Sequence, residues 1–200
     1  MSIEESCNKE IELMREAGRI CATVLAEMHK YIVPGVTTKQ LDEIAERIIR
    51  SNGATPSFKG LYGFPGAVCV SVNNELIHGI PGSRVLKEGD IVTIDVGAKY
   101  KGYHSDMTRT VAVGEVSAEQ RKIYEIVLSA QKASLEILKK GLSCKDADAA
   151  ARDIIKNAGY GEYFGHGTGH GVGIEIHELP NLSPRSDAIL QVGNVVTVEP

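Results

Sequence analysis

The apolar residues of this chain follow two spacings, one typical of helices and one typical of strands. Apolar side chains recur every three or four positions in residues 11–29 and 119–138, and again in the segments that follow Thr37 and Ser143. This spacing predicts four amphipathic helices. Strand-like runs follow each pair of helices: "AVCVSVNN" and "DIVTIDVGAKYKGYHSDMTRTVAV" in the first half, "GHGVGIEIHE" and "NVVTVEP" in the second. The pattern predicts an α+β fold.

The two halves are related by a weak internal repeat. "PGVTTKQLDEIAERIIRSNG" (residues 34–53) aligns without gaps on "KGLSCKDADAAARDIIKNAG" (residues 140–159) at a constant offset of 106. Each copy starts with a predicted N-cap and ends with a glycine suited to a C-cap: Thr37 and Gly53 in the first, Ser143 and Gly159 in the second. We therefore expect one domain, residues 1–200, with pseudo-twofold halves of two helices and two strands, and a functional cleft between the halves.

Composition restricts the class of partner. With 200 residues, 42% of them hydrophobic, the chain is long enough for one self-sufficient core. The formal charge of -4, without a basic run, predicts no nucleic acid partner. The acidic N-terminus and the absence of a long apolar run predict no membrane segment and a cytoplasmic location. The well-separated cysteines, without a C-x-x-C pair, are expected to be reduced and mostly buried: Cys7, Cys21, Cys69 and Cys144.

Three carboxylates lie where isolated charges are costly. If the hairpin "IVTIDVGAKYKGYHSDMTRT" turns through Lys99 to Gly102, Asp95 lies opposite Asp106, with the two Cβ atoms about 5 Å apart. Two facing carboxylates repel each other unless a proton or a cation lies between them. Glu199 follows an apolar run, where a lone buried carboxylate is unfavourable. Together with imidazole ligands, these residues suit a divalent metal site.

The imidazoles come from "FGHGTGHGVGIEIHELP", residues 164–180, which has a glycine at every odd position from 165 to 173. In an extended run these glycines share one face, so a strand or a substrate backbone can approach closely, while His166 and His170 project from the other face. His177 has the opposite parity to His170, so a bend between them is expected. His29 and His104 are interpreted as ordinary surface or core residues.

These motifs resemble the pita-bread metallopeptidases, which include methionine aminopeptidases, Xaa-Pro aminopeptidases and prolidases. The resemblance extends from "IELMREAGRI" to "VVTVEP" and implies a pita-bread fold. It implies up to two divalent ions (Co, Mn, Fe or Zn), held by Asp95, Asp106, His170 and Glu199. It further implies that His78 and His177 contact the substrate. In the expected reaction, Glu199 acts as general base or proton shuttle as well as ligand. His177 donates to the developing oxyanion, and His78 hydrogen-bonds the scissile amide or assists the leaving amine.

The two halves resemble different members of the family. "FKGLYGFPGAVCVSVNNELIHGIPGSRVLKEGD" is similar to type I methionine aminopeptidases, which implies a methionine pocket of Leu61, Phe64, Cys69 and Ile176. "GYHSDMTRTVAVG", "GYGEYFGHGTGHGVGIEIHELP" and "SPRSD" are similar to Xaa-Pro peptidases, in which residues at the positions of His166 and Arg185 hold the substrate. The short segment before the first helix favours the methionine aminopeptidases, since Xaa-Pro enzymes usually carry an extra N-terminal domain.

The resemblance also implies a fifth metal ligand, a bridging glutamate on a strand beyond Glu199, whereas this sequence stops at Pro200. We therefore expect the last strands to be absent from the sequence and the second metal site to lack its bridging ligand. The expected function is a metal-dependent aminopeptidase that removes the N-terminal residue, foremost the initiator methionine, from peptides and nascent proteins. The alternatives are an Xaa-Pro aminopeptidase or dipeptidase, a creatinase-like hydrolase, and a non-catalytic pita-bread protein that binds peptides or another partner. The oligomeric state is not predicted.

Overall fold

The computed structural model describes residues 3–200, with side chains from Asn8 onward. Met1, Ser2 and the side chain of Cys7 lie outside the described residues. The chain divides into two compact units: one comprises residues up to Val116 together with Ile174–Ile176, and the other comprises Ser117–Gly173 and His177–Pro200. The expectation of a single domain over residues 1–200 stays a prediction.

The first unit packs two helices against an antiparallel sheet. Its elements are α1 (Ile3–Met28), α2 (Thr38–Ser51), β1 (Thr55–Pro56), β2 (Val68–Val72), β3 (Ile91–Tyr100) and β4 (Tyr103–Ala112). β1 and β2 pair with successive parts of β3, and β4 pairs with β3 along its whole length. α1 packs against β3 and β4, and α2 packs against β2. One hydrophobic core joins these elements, with fully buried Ile20, Leu41 and Val92 among its members.

The alternation along β3 determines which face of the sheet is available for chemistry. Val92, Ile94 and Val96 are buried in the core shared with the helices. Because successive side chains point to opposite faces, Asp95 lies on the face turned away from this core. The apolar residues of β3 thus orient the predicted ligand as well as stabilising the unit.

The second unit has a helical pair and shorter strands. Its elements are α3 (Ala118–Ile137), α4 (Cys144–Asn157), β5 (Gly169–Gly171) and β6 (Glu178–Leu182). α3 packs against α4, and β5 pairs antiparallel with β6. Small cores stabilise the unit, among them one around Ala151 and Phe164 and one around Ala147 and Leu182.

All four predicted helices are present. α3 differs from its predicted range of residues 119–138 by one residue at each end, while α1 begins eight positions before the predicted residue 11. The sequence of this extra part, "IEESCNKE", is rich in residues that favour helices, but the segment has no apolar repeat by which the helix could be predicted. Among the described residues, no helix has both the length and the apolar character of a membrane-spanning segment.

The internal repeat is confirmed. α2 and α4 each contain 14 residues, and their bounds differ by the predicted offset. The hydroxyls of Thr37 and Ser143 accept hydrogen bonds from backbone N–H groups of the first turn, as N-caps do. Gly53 and Gly159 follow the helices with φ of 74° and 91°, which glycine adopts without strain.

The hairpin between β3 and β4 is present, but its predicted register is wrong. Tyr100 pairs with Tyr103, so the turn consists of Lys101 and Gly102, both with positive φ (47° and 94°). Such a two-residue turn matches the right-handed twist of the strands. The register is therefore shifted by two residues, and Asp106 pairs with Gly97 instead of Asp95.

The predictions for the thiols and for two of the histidines agree with the structure. Cys21, Cys69 and Cys144 are free and buried. His104 is buried, with Nδ1 2.8 Å from the hydroxyl oxygen of Ser57, and His29 is exposed in a short 3₁₀ turn. We interpret both histidines as structural residues.

Candidate functional site

Asp95 and Asp106 share one face of the first unit's sheet. A shift of two residues preserves parity, so they are diagonal neighbours, for which Cα atoms are about 7–8 Å apart. Both side chains are partly buried, and Oδ1 of each is shielded from solvent. A diagonal pair leaves more room between the carboxylates than a directly opposed pair. This arrangement suits a cation that both carboxylates coordinate better than a proton that they share.

The thiol of Cys69 lies beside these carboxylates. Cys69 on β2 pairs with Asp95 on β3. Burial, reinforced by the negative charges of Asp95, Asp106 and Asp42, raises the pKa of the Cys69 thiol to about 12. The side chain is therefore neutral at physiological pH and behaves as a small apolar group.

The four residues expected to form a methionine pocket all belong to the first unit. Cys69 and Ile176 are buried, while Leu61 and Phe64 are partly buried around a 3₁₀ turn before β2. Ile176 joins this unit although it is distant in sequence. The four residues therefore provide apolar surface in the same unit as the two aspartates.

His78 lies exposed in the loop between β2 and β3, with a φ of 56°. The next residue fixes this loop, because the Gly79 N–H donates to the hydroxyl of Ser71 (3.0 Å) and its carbonyl accepts from Val70 N–H (2.9 Å). A methyl group at Gly79 would overlap the backbone of Val70 and Ser71. The loop is thereby held against β2, and the His78 imidazole is accessible to solvent.

In the second unit, Gly167, Gly169 and Gly171 admit neighbouring backbone, as predicted for the glycines of residues 165–173. A methyl group at Gly167 would lie 2.9 Å from the carbonyl oxygen of Leu182. At Gly171 it would lie 2.5 Å from the carbonyl oxygen of Leu179, and at Gly169 it would overlap the carbonyl oxygen of Thr197. β6 and the terminal segment both approach the glycines closely. The glycines therefore serve chain packing, one of the two roles that the alternation indicated.

The strand predicted for residues 194–200 is replaced by an isolated bridge between Gly171 and Val196 and a few backbone hydrogen bonds. The Thr197 N–H donates to the carbonyl of His170 (2.8 Å), and the Glu199 N–H donates to that of Thr168 (2.7 Å). These bonds align the terminal segment with β5. As a result, His170 and Glu199 lie next to each other.

The hydrogen bonds of His170 define the role of each ring nitrogen. Nδ1 lies 2.9 Å from the carbonyl oxygen of Gly171, and since a carbonyl oxygen only accepts, Nδ1 carries the proton. Nε2 lies 3.1 Å from Oε1 of Glu199. A backbone carbonyl that orients an imidazole in this way is typical of metal-binding histidines, which coordinate through the other nitrogen.

Two opposing effects act on the Glu199 carboxyl group. Burial raises its pKa, but hydrogen bonds with His170 and Thr197 and the charges of His170 and His166 lower it, and the net pKa is below the usual range. The carboxylate form is therefore favoured, which is the form that a metal ligand requires.

His177 and His166 flank this pair. Residues 173–177 form the predicted bend, which brings the ring centroids of His170 and His177 to 4.5 Å and ring nitrogens to within 4.8 Å. His166 donates from Nδ1 to the carbonyl of Gly167 (2.8 Å), and its ring contacts Phe164 edge-on. The second unit thus brings His166, His170, His177 and Glu199 into one region. Arg185, the other predicted substrate contact, is exposed in a turn after β6.

Sequence reasoning missed the two residues that anchor this region, Asp148 and Arg152. Asp148 is 1% exposed, accepts from the Thr168 N–H (3.0 Å), and forms an ion pair with Arg152. Two signals for them were present in the sequence: the repeat aligns Asp148 with Asp42, and the i, i+4 spacing places Asp148 and Arg152 on one face of a helix.

The donor atoms fit the metals that the sequence indicated. The first unit offers two carboxylates, and the second offers a carboxylate and imidazole nitrogens. Oxygen donors combined with imidazole nitrogen suit Mn, Fe, Co and Zn. Each unit therefore offers donor atoms of the kinds that these metals take.

Comparisons with known proteins agree with this chemistry. The model of metallopeptidase family M24 matches residues 12–200. Methionine aminopeptidase 1 of Bacillus subtilis is 45% identical over 199 residues, covering 96% of this chain and 79% of the relative. The structure of an Xaa-Pro dipeptidase from Bacillus anthracis has a TM-score of 0.89 at 44% identity, covering 95% of this chain. The chain spans about half of that enzyme, 52% of its length.

A methionine aminopeptidase from Rickettsia prowazekii has a TM-score of 0.87 at 29% identity, covering 96% of this chain and 78% of that one. These similarities confirm the predicted α+β pita-bread fold and the mixed resemblance to methionine aminopeptidases and Xaa-Pro peptidases. Since the family match covers nearly the whole sequence and agrees with the carboxylate and histidine donors of the two units, the chain belongs to metallopeptidase family M24.

Proposed function

We propose that this protein is a metal-dependent aminopeptidase that removes the N-terminal residue of peptides and nascent proteins, with Asp95, Asp106, His170 and Glu199 as metal ligands. The observation that carries the proposal is the contact between His170 Nε2 and Glu199 Oε1 at 3.1 Å, with the imidazole oriented by a backbone carbonyl. An imidazole and a carboxylate held in this way can bind one cation together. The diagonal pair of aspartates supplies the remaining negative charge.

Each residue of the region has a chemical task in this proposal. When bound, a divalent cation supplies an activated water and Lewis acidity. Glu199, held as a carboxylate, accepts the proton of the attacking water. The exposed imidazole of His177 donates to the oxygen of the scissile carbonyl, where negative charge develops. His78 donates to the scissile amide or protonates the leaving amine.

Methionine is the side chain that we propose for the first substrate residue. Leu61, Phe64 and Ile176 are apolar, and the Cys69 thiol stays neutral because burial raises its pKa to about 12. A flexible thioether fits such a surface well. The 45% identity to a methionine aminopeptidase also supports this choice. A cytoplasmic site of action, where nascent chains are processed, belongs to the same proposal.

A second candidate is an Xaa-Pro peptidase. His166 favours it, because its Nδ1 is occupied by the carbonyl of Gly167 and its Nε2 is the nitrogen left for a substrate. The 44% identity to an Xaa-Pro dipeptidase of known structure points the same way. In this case His166 and Arg185 would hold a substrate with proline in the second position.

Cleavage of two tripeptides separates the candidates. The protein, supplied with Mn or Co, is incubated with Met-Ala-Ser and with Ala-Pro-Ala, and the released amino acids are quantified. We expect release of methionine at least about 10-fold faster than release of alanine, because an apolar pocket discriminates by about 10- to 200-fold. The His29→Ala variant changes an exposed histidine outside both candidate sets and serves as the active control.

The other outcomes identify the alternatives. Faster cleavage of Ala-Pro-Ala would replace the methionine aminopeptidase with the Xaa-Pro peptidase. A protein that binds metal but cleaves neither tripeptide is then incubated with the dipeptide Ala-Pro: cleavage would identify an Xaa-Pro dipeptidase, and no cleavage would support the non-catalytic binding protein. A protein that binds no divalent metal under these conditions would contradict the proposed function as a whole.

A further inference from the structure

We infer that Asp148 and Arg152 on α4 are positioning residues that hold His170 and Glu199 in the geometry needed for metal binding. We call this pair and its hydrogen bonds the Arg152–Asp148 clamp. The inference rests on the proposed function, because it takes His170 and Glu199 as metal ligands. Neither clamp residue is assigned a contact with metal or substrate.

Arg152 connects the helix to the segment that carries the histidines. Its Nε and Nη2 donate to the two carboxylate oxygens of Asp148 (2.7 and 2.9 Å), a bidentate ion pair. Nη1 donates to the carbonyl of Phe164 (2.8 Å), and Nη2 donates to that of His166 (2.6 Å). The guanidinium also lies 4.0 Å from the centroid of the Phe164 ring. One side chain thereby fixes two alternate carbonyls of the segment.

Asp148 extends the clamp toward the ligands. Its Oδ1 accepts from both the N–H and the hydroxyl of Thr168 (3.0 and 2.9 Å), and Thr168 is fully buried. The carbonyl of Thr168 accepts from the N–H of Glu199 (2.7 Å). His170 lies two residues further along, and its own N–H donates to the hydroxyl of Thr197 (3.0 Å). Hydrogen bonds therefore join α4 through Thr168 to the backbone of Glu199, and the short covalent segment from Thr168 to His170 connects the clamp to the other ligand.

The internal repeat separates the role of the aspartate from that of the arginine. Asp42 on α2, the counterpart of Asp148, accepts from the N–H groups of Ala67 and Val68 (2.7 and 3.0 Å). At the position of Arg152, the first copy has Glu46, which pairs with Arg50 and Lys59. An aspartate alone thus connects helix to strand in the first unit. The second unit adds the guanidinium where the strand carries the predicted ligands.

The chemistry of the guanidinium explains why arginine is needed. Its planar fork can bind the two carboxylate oxygens and still donate to two carbonyls, whereas a lysine offers one compact charge. Removing Arg152 alone would leave the buried Asp148 carboxylate without its cation, which is strongly destabilising. A variant that neutralises both residues avoids this problem, because asparagine at position 148 still accepts from Thr168.

The test compares Co(II) affinity among folded variants. Arg152→Lys keeps the charge but removes the fork, and the double variant Asp148→Asn/Arg152→Met removes the ion pair. Arg50→Met, in the matching helix of the first unit, removes an exposed i, i+4 pair and is the control. Calorimetric titration gives the Co(II) dissociation constant, and the visible spectrum of the bound ion reports its coordination. Thermal unfolding monitors the fold of each variant.

We expect both clamp variants to bind Co(II) about 10- to 100-fold more weakly than the wild type, as is typical when a group that orients a metal ligand is lost. We also expect an altered Co(II) spectrum and faster amide hydrogen exchange in residues 165–170. Arg50→Met should match the wild type in all of these measurements.

The failures of the two proposals are distinguishable. If the wild type binds no Co(II), the proposed function fails and the clamp loses its purpose. If the wild type binds Co(II) and both clamp variants bind it with the same affinity and spectrum, the clamp is overturned while the proposed function stands. If Arg152→Lys binds Co(II) as tightly as the wild type and only the double variant binds it more weakly, the planar guanidinium is not required and a positive charge at position 152 is sufficient.

Discussion

At the scale of the residue, the histidines of this chain differ because of the atoms to which their ring nitrogens are bonded. His104 contacts a serine hydroxyl and is buried. In His166 and His170, Nδ1 donates to the carbonyl of the following glycine, so Nε2 faces other partners. His177 is exposed and packs edge-on against His170. The alternating glycines in the sequence distinguished His166 and His170 from His104. The orientation of each ring is seen only in the structure.

The role proposed for His177 can be separated from that of a metal ligand. We expect His177→Ala to lower kcat by about 100-fold or more, because that is the scale of loss when one donor to an oxyanion is removed. The metal content, measured by elemental analysis of the purified variant, should equal that of the wild type. If metal content falls together with activity, His177 is a ligand instead of an oxyanion donor.

The two aspartates show what a pattern along the chain can predict. Parity correctly placed Asp95 and Asp106 on one face of a hairpin, since any even shift in register preserves the face. The sequence did not indicate that the turn would be limited to Lys101 and Gly102. The positive φ of both residues determines the register, and hence the diagonal arrangement of the carboxylates.

At the scale of the element, β5 depends on glycine for its packing. A side chain at Gly169 would overlap the carbonyl of Thr197, and this overlap is with backbone, which cannot rotate away. Nothing lies within 4 Å of the position that a methyl group would occupy at Gly165, only four residues earlier. These two glycines therefore form a matched pair for a substitution experiment.

We expect Gly169→Ala to lower the free energy of unfolding by about 3 kcal/mol, the upper end of the usual cost of overpacking. It should also weaken metal binding, because the segment that carries Glu199 is displaced from β5. Gly165→Ala should stay within about 1 kcal/mol of the wild type. Denaturant unfolding monitored by circular dichroism checks both values. Equal stability of the two variants would contradict the close packing of this strand.

Helices were predicted better than strands for a physical reason. α2 and α4 are bounded by local signals, a hydroxyl N-cap and a glycine after the last turn. The terminal segment "NVVTVEP" shows strand-like alternation but makes an isolated bridge to β5. Regular pairing depends on partners that are distant in sequence, and a local pattern carries no information about them.

At the scale of the whole molecule, the four proposed ligands are Asp95, Asp106, His170 and Glu199, which come from distant parts of the sequence. A cation that binds all four would stabilise the folded chain by mass action, because the unfolded chain does not present the same set. Stability in the presence of metal is therefore a test of the complete ligand set.

We expect Mn or Co at 100 times its dissociation constant to stabilise the protein by about 2.7 kcal/mol, which raises the unfolding midpoint by about 5–10 °C for a chain of this size. A chelator should reverse the shift. Asp106→Asn should abolish tight metal binding and the shift while leaving the metal-free midpoint close to that of the wild type. His29→Ala should keep the full gain. A full metal-dependent gain in Asp106→Asn would remove Asp106 from the ligand set.

The sequence by itself determined the class of fold, the repeat, and the helix boundaries set by local caps, and it supplied the side chains that we propose as metal ligands. These follow from periodicity, capping residues and side-chain chemistry, which are local properties of the chain. The tertiary structure decided the register that makes Asp95 and Asp106 diagonal, the tautomer of His170, its contact with Glu199, and the anchoring of both by Asp148 and Arg152. Each of these depends on contacts between backbone groups far apart in sequence, whose positions are fixed only when the chain is packed.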